Sequence, residues 1–183
     1  MTLHKFAIKY NHDTSRHIMT TNGLEESEIR QISEATSINF NDLCNFLSCT
    51  TFDQMVARFV AYAKTNEIYL KDKLSQFNTL IVDEYQDFNQ NEQALIDILI
   101  SIIEDSYILG DDDQCIYDFK DASNDKIIAL YNDINNEKIK HEHVCHRCPD
   151  KVVHHTSILI KNNKNKVDKK WEKKGNAGNL LYK

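Results

Sequence analysis

Leu80-Ile81-Val82-Asp83-Glu84-Tyr85-Gln86-Asp87 is the stretch of sequence that decides the fold. Residues 79–82 form an uninterrupted apolar run, which predicts a strand buried on both faces of a parallel sheet. In open α/β sheets ligands bind beyond the carboxyl ends of the strands, which is where Asp83 and Glu84 fall. The first acid can hold Mg²⁺ and the second can take a proton from an attacking water. An isolated acid pair after a strand is usually only a solvated strand end, so a second signal is needed.

The second signal is Tyr107-Ile108-Leu109-Gly110-Asp111-Asp112-Asp113-Gln114. It predicts another buried strand, Tyr107 to Leu109, that opens onto a glycine, three acids and an amide able to hydrogen-bond a phosphate. The segment 116–120 follows, Ile-Tyr-Asp-Phe-Lys, and offers two aromatic side chains beside a cation. That grouping suits base stacking with phosphate contact on a single strand. Packing of the two aromatic rings inside the domain is an equally open alternative.

The surrounding sequence alternates between helical and strand patterns. Such alternation predicts an α/β fold with a mostly parallel sheet flanked by helices. Periodicity and capping residues predict helices over 3–10, after Asn22, and over 52–63, 91–104 and 124–131, with one more starting at Pro149 as its first helical residue. Further strands are predicted at 17–21, 48–51 and 139–144.

Charge is divided unevenly along the 183 residues. The net charge of −6 combines −14 over residues 1–137 with +8 over residues 138–183. This split predicts two physical units, with a polyanion contacting the second, although a lysine-rich solvated tail is the commoner cause. The 41% hydrophobic content excludes a wholly disordered chain. No apolar run suits a membrane span, no signal-peptide core opens the sequence, and the odd count of five cysteines indicates a reducing compartment. A cytoplasmic protein without membrane contact is therefore expected.

Together these segments resemble the motifs of UvrD/Rep-type superfamily 1 DNA helicases. Residues 83–87 resemble the Walker B motif D-E-x-Q-D, and residues 110–120 resemble the third motif, G-D-x-x-Q-S-I-Y-x-F-R-G-A. His146-Arg147-Cys148-Pro149 resembles the fourth motif. Weaker matches are Thr20-Thr21-Asn22 to T-F-T-N and Thr51-Phe52-Asp53 to T-F-H-S. All five segments occur in the order that the family has.

The resemblance implies a RecA-like P-loop NTPase fold, ATP and Mg²⁺ as cofactors, and ATP hydrolysis coupled to 3′–5′ movement on single-stranded DNA. Asp83 would coordinate Mg²⁺, and Glu84 would be the general base. Gln114 would contact the γ-phosphate, and Arg147 would act on ATP as an arginine finger. The residues implied in DNA binding are Thr20, Asn22, Thr51, Phe52, Tyr117, Phe119 and Lys120. Loading and repair partners stay open.

Departures from the family pattern are equally informative. No G-x-x-x-x-G-K-[ST] loop occurs, and Met1 aligns just behind the position where that loop would lie. The C-terminal motifs of the second motor domain do not occur either. In the third motif Lys120 and Asp121 replace arginine and glycine. We therefore expect a truncated chain, inactive alone, with residues 1–137 as part of the first motor domain and residues 138–183 as the start of the second. The alternative is a non-catalytic, helicase-derived module that binds DNA or protein.

A cysteine- and histidine-rich segment permits one further hypothesis. Cys145-x-x-Cys148 lies beside His141, His143 and His146, and such side chains at close spacing can bind zinc. A structural zinc site normally needs a second ligand pair at matching separation, so an exposed, histidine-rich strand edge is the favoured interpretation. Cys44 and Cys49 are interpreted as buried thiols.

Overall fold

The structure is a computed structural model that describes residues 2–10, 16–19, 24–115, 124–133, 138–142, 144–169 and 171–175. The chain divides into two compact units. The first comprises Met1–Ile81 and Asn89–Tyr107, and the second comprises Val82–Phe88 and Ile108–Lys183.

Helices with short strands between them make up the described chain. The helices are α1 (Leu3–Tyr10), α2 (Leu24–Thr36), α3 (Phe40–Phe46), α4 (Phe52–Thr65), α5 (Glu67–Leu74), α6 (Gln90–Ile102), α7 (Asp125–Asp133) and α8 (Asp150–Ile160). The strands are β1 (His17–Ile18), β2 (Cys49–Thr50), β3 (Thr79–Val82) and β4 (Asp105–Ile108). Single 3₁₀ turns follow β3 at Tyr85–Asp87 and β4 at Asp112–Gln114. The helical patterns predicted from the sequence are confirmed for α1, α2, α4, α6 and α7, whereas α3 and α5 were not predicted.

The core of the first unit forms where α4 packs against α6 and α1. Apolar side chains at helical spacing bring Val56 and Phe59 of α4, Leu95 of α6 and Ala7 of α1 into one cluster, where each is fully buried. A smaller cluster of Met19, Ile29, Cys44 and Cys49 lies under α2 and α3. The prediction that Cys44 and Cys49 are buried thiols is thus confirmed.

Both principal core helices begin with a reciprocal cap. Thr51 accepts from the N–H of Gln54 at 3.1 Å, and the Gln54 side chain accepts from the N–H of Thr51, also at 3.1 Å. Asn89 and Glu92 form the same arrangement at the start of α6, with both bonds at 3.0 Å. Each box satisfies backbone donors that a helix start otherwise leaves unpaired.

Both strand pairs of the described residues are parallel. In the first, His17 of β1 pairs with Cys49 of β2. In the second, the N–H of Asp105 donates to the carbonyl of Asn78 at 3.2 Å, and the N–H of Leu109 donates to that of Val82 at 2.8 Å. Donor and acceptor advance together by four residues, so β3 and β4 run in the same direction. The α/β class with parallel pairing is confirmed, and the complete RecA-like sheet stays a prediction.

The predicted burial of these strands on both faces is wrong. Ile81 is 68% exposed and Tyr107 is 60% exposed, whereas Leu80 packs against the core cluster of the first unit and Val82 is buried. Leu80 therefore lies on the core of the first unit, whereas no element among the described residues covers Ile81 or Tyr107. β4 also begins two residues earlier than the pattern predicted.

Two predictions near the chain's basic end need correction. Instead of a strand over 139–144, the described part of that segment forms a single bridge, in which Val144 pairs with Glu172. Lys140, His141 and Glu142 are exposed there, and a ladder cannot extend without a partner strand. α8 begins at Asp150, so Pro149 is the residue before the first helical position. No helix in the described residues is long and apolar enough to cross a membrane.

The buried cluster of the first unit predicts how two phenylalanines differ in their contribution to stability. Phe59 is fully buried, whereas Phe46 is 85% exposed. We expect Phe59→Ala to lower the free energy of unfolding by about 3–5 kcal/mol because it leaves a cavity in the core. Phe46→Ala should change it by less than about 0.5 kcal/mol. Urea titrations followed by circular dichroism would measure both, and equal losses would contradict this assignment of the core.

Candidate functional site

The turn after β3 carries the acid pair predicted from the sequence. Asp83 and Glu84 are exposed, and the N–H of Glu84 donates to Oδ1 of Asp83 at 3.0 Å. Glu84 has φ 54° and ψ 46°, a left-handed conformation that costs a residue other than glycine about 1–3 kcal/mol. The N–H of Tyr85 donates to the carbonyl of Leu109 at 3.0 Å. This tight turn holds both carboxylates at the end of the strand.

A buried glutamine connects the turn after β3 to the turn after β4. Gln86 is 1% exposed, and its Nε2 donates to Oε2 of Glu84 at 2.7 Å. Its Oε1 accepts from the backbone N–H of Asp111 at 3.0 Å. Both ends of the buried amide are therefore paired, and an unpaired end would cost about 1–3 kcal/mol.

Gly110 gives the two turns room to approach each other. A Cβ at this position would lie 2.8 Å from Oε1 of Gln86 and 2.5 Å from Cδ1 of Ile127. Both distances are shorter than van der Waals contact. A side chain here would displace the amide oxygen that accepts from Asp111, so the glycine is needed for close approach.

The three consecutive acids after Gly110 surround one ammonium group. Nζ of Lys169 contacts a carboxylate oxygen of Asp111 and lies 2.5 Å from Oδ1 of Asp112 and 3.1 Å from Oδ2 of Asp113. Only 14% of the Lys169 side chain is exposed. The acids offer ligand atoms within 4.8 Å of one another, as a metal site would. In this structure the ammonium provides the positive charge.

The pKa shifts of this group follow from the ion pairs. Burial alone would raise the pKa of Asp111, but hydrogen bonds from Lys169 and Gln114 together with the charge of Lys169 lower it. Burial alone would lower the pKa of Lys169, but its bonds to Asp111 and Asp112 raise it. Asp111 and Lys169 are therefore both charged at neutral pH.

Gln114 completes a continuous chain of polar contacts. Its Nε2 donates to Oδ2 of Asp111 at 2.6 Å. The backbone N–H of Asp111 donates in turn to the side-chain amide of Gln86, and that amide donates to Glu84. The structure thus connects Glu84 with Gln114, two side chains that the sequence assigned to the same site.

The residues of the two turns fit Mg²⁺ and a phosphate group in part. Asp83 is an exposed carboxylate at a strand end, the kind of oxygen ligand that Mg²⁺ takes in phosphate sites. Gln114 already donates one N–H to Asp111. It could therefore reach a phosphate with its second N–H, or by releasing that bond.

The structure does not bring Arg147 to the acids. Arg147 is exposed in the turn between Val144 and α8, and among the described residues its guanidinium forms no ion pair with an acid. Its role on ATP stays a prediction.

The sequence-predicted DNA contacts are only partly described. Thr51 is buried and caps α4, and Phe52 packs against the core cluster with its ring centroid 5.0 Å from that of His4. Both therefore contribute to the first unit's structure, and their contact with DNA stays a prediction. The remaining predicted contacts, Thr20, Asn22, Tyr117, Phe119 and Lys120, lie outside the described residues.

The zinc hypothesis gains nothing from the described residues. Among these residues, the group of three or more possible metal ligands that lie close enough to share an ion consists of Asp111, Asp112 and Asp113, and it contains no cysteine or histidine. His141 instead contacts Tyr131, with its Nε2 3.4 Å from the hydroxyl. His143 lies outside the described residues.

Sequence reasoning missed Gln86 and Lys169 as site residues. Gln86 could have been found, because a polar residue that directly follows a strand and its acids is well placed to pair the strand ends. Lys169 carries no local signal, because it is one of many lysines in the basic segment and lies far along the chain from Asp111.

Comparison with known proteins gives the chain a family. Residues 2–135 match the model of the UvrD/REP helicase N-terminal domain, which is more than half of the chain. The chain belongs to the UvrD/Rep helicase family. Within that family, its two acidic turns coincide with the segments that resemble the Walker B and third motifs.

Several curated helicases are similar to this UvrD/Rep-family chain. The ATP-dependent DNA helicase Rep of Buchnera aphidicola (strain APS) is 33% identical over 131 residues, which cover 71% of this chain and 20% of the relative. DNA helicase II of Haemophilus influenzae is 27% identical, covering 86% of this chain and 22% of the relative. The ATP-dependent DNA helicase Rep of Escherichia coli is 28% identical over a match that covers 69% of this chain and 18% of the relative. The chain spans about a fifth of the length of these relatives.

The Cys145 and Cys148 thiols of this UvrD/Rep-family chain differ in acidity. The N–H of Cys148, and then that of Arg147, donate to the sulfur of Cys145 and lower its pKa, against a small opposing effect of burial. The hydrogen bond with Cys145 raises the pKa of Cys148. Burial, together with the neighbouring Cys49, raises the pKa of Cys44 to about 11.

These shifts predict an order of thiol reactivity. A lowered pKa leaves more thiolate at neutral pH, and the thiolate is the nucleophile. With limiting iodoacetamide at pH 7, we expect Cys145 to be alkylated faster than Cys148, and faster than Cys44 by at least about 100-fold. Peptide mass spectrometry over a time course would measure the rates. Raising the pH should narrow the difference between Cys145 and Cys148, and faster labelling of Cys148 at pH 7 would contradict the assignment.

Proposed function

We propose that this chain is part of the motor of an ATP-dependent DNA helicase that moves 3′–5′ along single-stranded DNA. The observation that carries the proposal is the polar chain from Glu84 through Gln86 and Asp111 to Gln114 at the ends of two parallel strands. The names of the relatives, which are ATP-dependent DNA helicases, support the same function. We further propose that residues 1–137 belong to the first motor domain and residues 138–183 to the second, in a cytoplasmic protein.

Asp83 and Glu84 would have different roles at the phosphate, one in metal binding and the other in proton transfer. Asp83 would hold Mg²⁺, which when bound offsets the negative charge of the phosphates. Glu84 would accept a proton from the attacking water. Its Oε2 is held by Gln86 at 2.7 Å, which fixes the carboxylate and leaves Oε1 for the proton.

Gln114 would sense the γ-phosphate by exchanging hydrogen bonds. In the structure its amide donates to Asp111 at 2.6 Å. A phosphate would compete with Asp111 for the same amide. A change in the Gln114–Asp111 bond would then affect Gln86 and Glu84, because Asp111 is hydrogen-bonded to Gln86 and Gln86 to Glu84. Arg147 would add positive charge at the phosphate as an arginine finger, a role that its exposed position leaves open to it.

Single-stranded DNA would be bound mainly by local chemistry, since residues 1–137 carry a net charge of −14. Tyr117 and Phe119 would stack on bases beside Lys120. Thr20, Asn22, Thr51 and Phe52 would contribute contacts to the backbone. The lysines between Lys161 and Lys174 would add attraction to phosphates.

A chimera in which residues 2–135 replace the matching segment of the Escherichia coli Rep helicase tests the catalytic assignment. We expect Glu84→Gln to lower DNA-stimulated ATP turnover by about 10²–10⁴-fold with nucleotide binding retained, because an amide cannot take the proton. Asp83→Ala should weaken binding of the magnesium–nucleotide complex. Turnover and fluorescent-nucleotide titration would separate the two effects.

Glu104→Gln is the matched control for this experiment, since Glu104 is exposed and lies in the sequence outside both acidic turns. It should leave turnover unchanged. Normal turnover in the Glu84→Gln chimera would overturn the assignment of the base. A folded chimera that binds DNA and hydrolyses no ATP would favour the alternative, a non-catalytic helicase-derived module.

Binding of single-stranded DNA by the chain should separate stacking from charge. Tyr117→Ala combined with Phe119→Ala should weaken binding about 10-fold or more at every salt concentration, because stacking is worth about 1–3 kcal/mol per base. Charge reversal at Lys161 and Lys174 should instead flatten the salt dependence. Fluorescence anisotropy with a labelled strand measures both. Unchanged binding by a folded double variant would mean that the two aromatic residues belong to the core.

A further inference from the structure

One lysine of the basic segment is built into the acidic turn. Nζ of Lys169 contacts Asp111, Asp112 and Asp113, and only 14% of its side chain is exposed. Lysine is almost never buried to this extent unless it is paired. All of these residues belong to the second unit. Lys169 is therefore fixed in place, in contrast to the exposed lysines Lys161, Lys164, Lys173 and Lys174.

The three carboxylates need this positive charge. Their ligand atoms lie within 4.8 Å of one another, a separation at which like charges repel strongly in a partly buried site. One ammonium at the common centre opposes that repulsion for all three. Without it, the carboxylates would move apart or recruit another cation.

The segment that carries Lys169 is held to the same acids by two further bonds. The backbone N–H of Val167 donates to Oδ2 of Asp112 at 2.7 Å. Nδ2 of Asn163 donates to Oδ1 of Asp113 at 2.8 Å. These bonds place Lys169 without involving Asp111.

Asp111 is the point at which Lys169 reaches the nucleotide-binding residues. Lys169 contacts Oδ1 of Asp111, which also accepts the N–H of Asp113 at 3.1 Å. The second oxygen of Asp111 accepts Nε2 of Gln114 at 2.6 Å. A carboxylate fixed through one oxygen presents the other in a defined direction, so Lys169 and the N–H of Asp113, which share Oδ1, together orient the oxygen that accepts from Gln114.

We propose that Lys169 is a positioning residue of the nucleotide site, which holds the Asp111 carboxylate and through it the amide of Gln114. The proposal rests on the proposed function only where it concerns the role of Gln114 toward phosphate. Through this contact the segment after α8 is coupled to the turn after β4. Loss of the Lys169 ammonium therefore frees the Gln114 amide, whereas loosening the segment with Lys169 still in place does not.

The test uses the 183-residue chain with Lys169→Met, which keeps the length of the side chain and removes its charge. In a chain labelled with ¹⁵N-glutamine, the side-chain signal of Gln114, assigned with Gln114→Ala, should move to the position of a free glutamine amide. Lys169→Arg should restore most of the wild-type signal. Alkylation of Cys115, the next residue, should become about tenfold faster in Lys169→Met as the turn opens.

Two controls separate positioning from general loosening of the segment. Lys173→Met removes an exposed lysine four residues away and should leave both readouts unchanged. Asn163→Ala removes the bond to Asp113 and should loosen the segment without moving the Gln114 signal. An unchanged Gln114 signal in a folded Lys169→Met chain would overturn the proposal, as would an equal change in Asn163→Ala.

A measurement on the unaltered chain covers the case in which Lys169→Met does not fold. Acylation with acetic anhydride should modify Lys169 at least about tenfold more slowly than Lys173, because a paired and buried ammonium is protected. Equal rates would overturn the proposal. None of these readouts requires ATP turnover. A failure of the Glu84→Gln test together with a displaced Gln114 signal would therefore remove the proposed function and leave the positioning contact standing.

Discussion

The buried amide of Gln86 is the interaction on which the candidate site depends. It has to pair both of its ends because an unpaired amide is costly in the interior. The available partners are Glu84 on one side and the backbone N–H of Asp111 on the other, at 2.7 Å and 3.0 Å. Satisfying Gln86 therefore sets the separation of the two turns. Gly110 is the compatible neighbour because any side chain there would displace the same amide oxygen.

Charge balance is the second constraint on these turns. Asp111, Asp112 and Asp113 are adjacent in sequence and converge in space, so their repulsion has to be offset by a cation. Lys169 meets that need from the basic segment of the chain. The uneven distribution of charge along the sequence thus has a local counterpart, in which a basic segment supplies the ammonium that an acidic turn requires. The bond between Asp111 and Gln114 is preserved because Lys169 does not use the oxygen that accepts it.

The sequence predicted well those features that depend on local pattern. The apolar stripe of α4 and the strand–acid–acid order at Asp83 were both readable, because side-chain periodicity and strand ends are local properties. The exposure of one face of β3 could not be predicted. An apolar run such as the one that contains Ile81 has the same sequence pattern whether or not another element covers its outer face. The short helices α3 and α5 were missed because few of their residues are buried, which leaves little stripe to detect. Lys169 was missed because its partner lies more than fifty residues away.

The same distinction explains why the site is only partly readable from its motifs. A motif names the side chains that are proposed to act on a ligand, here Asp83, Glu84 and Gln114. It does not name the groups that hold them, since those are chosen by three-dimensional packing and pairing. Gln86 is hydrogen-bonded to Glu84, which is two residues away in the sequence, whereas Lys169 pairs with acids that are more than fifty residues away. The orientation of Gln114 is therefore a property of the folded second unit as a whole, and the segment after α8 belongs to the site as much as the motif that contains the glutamine.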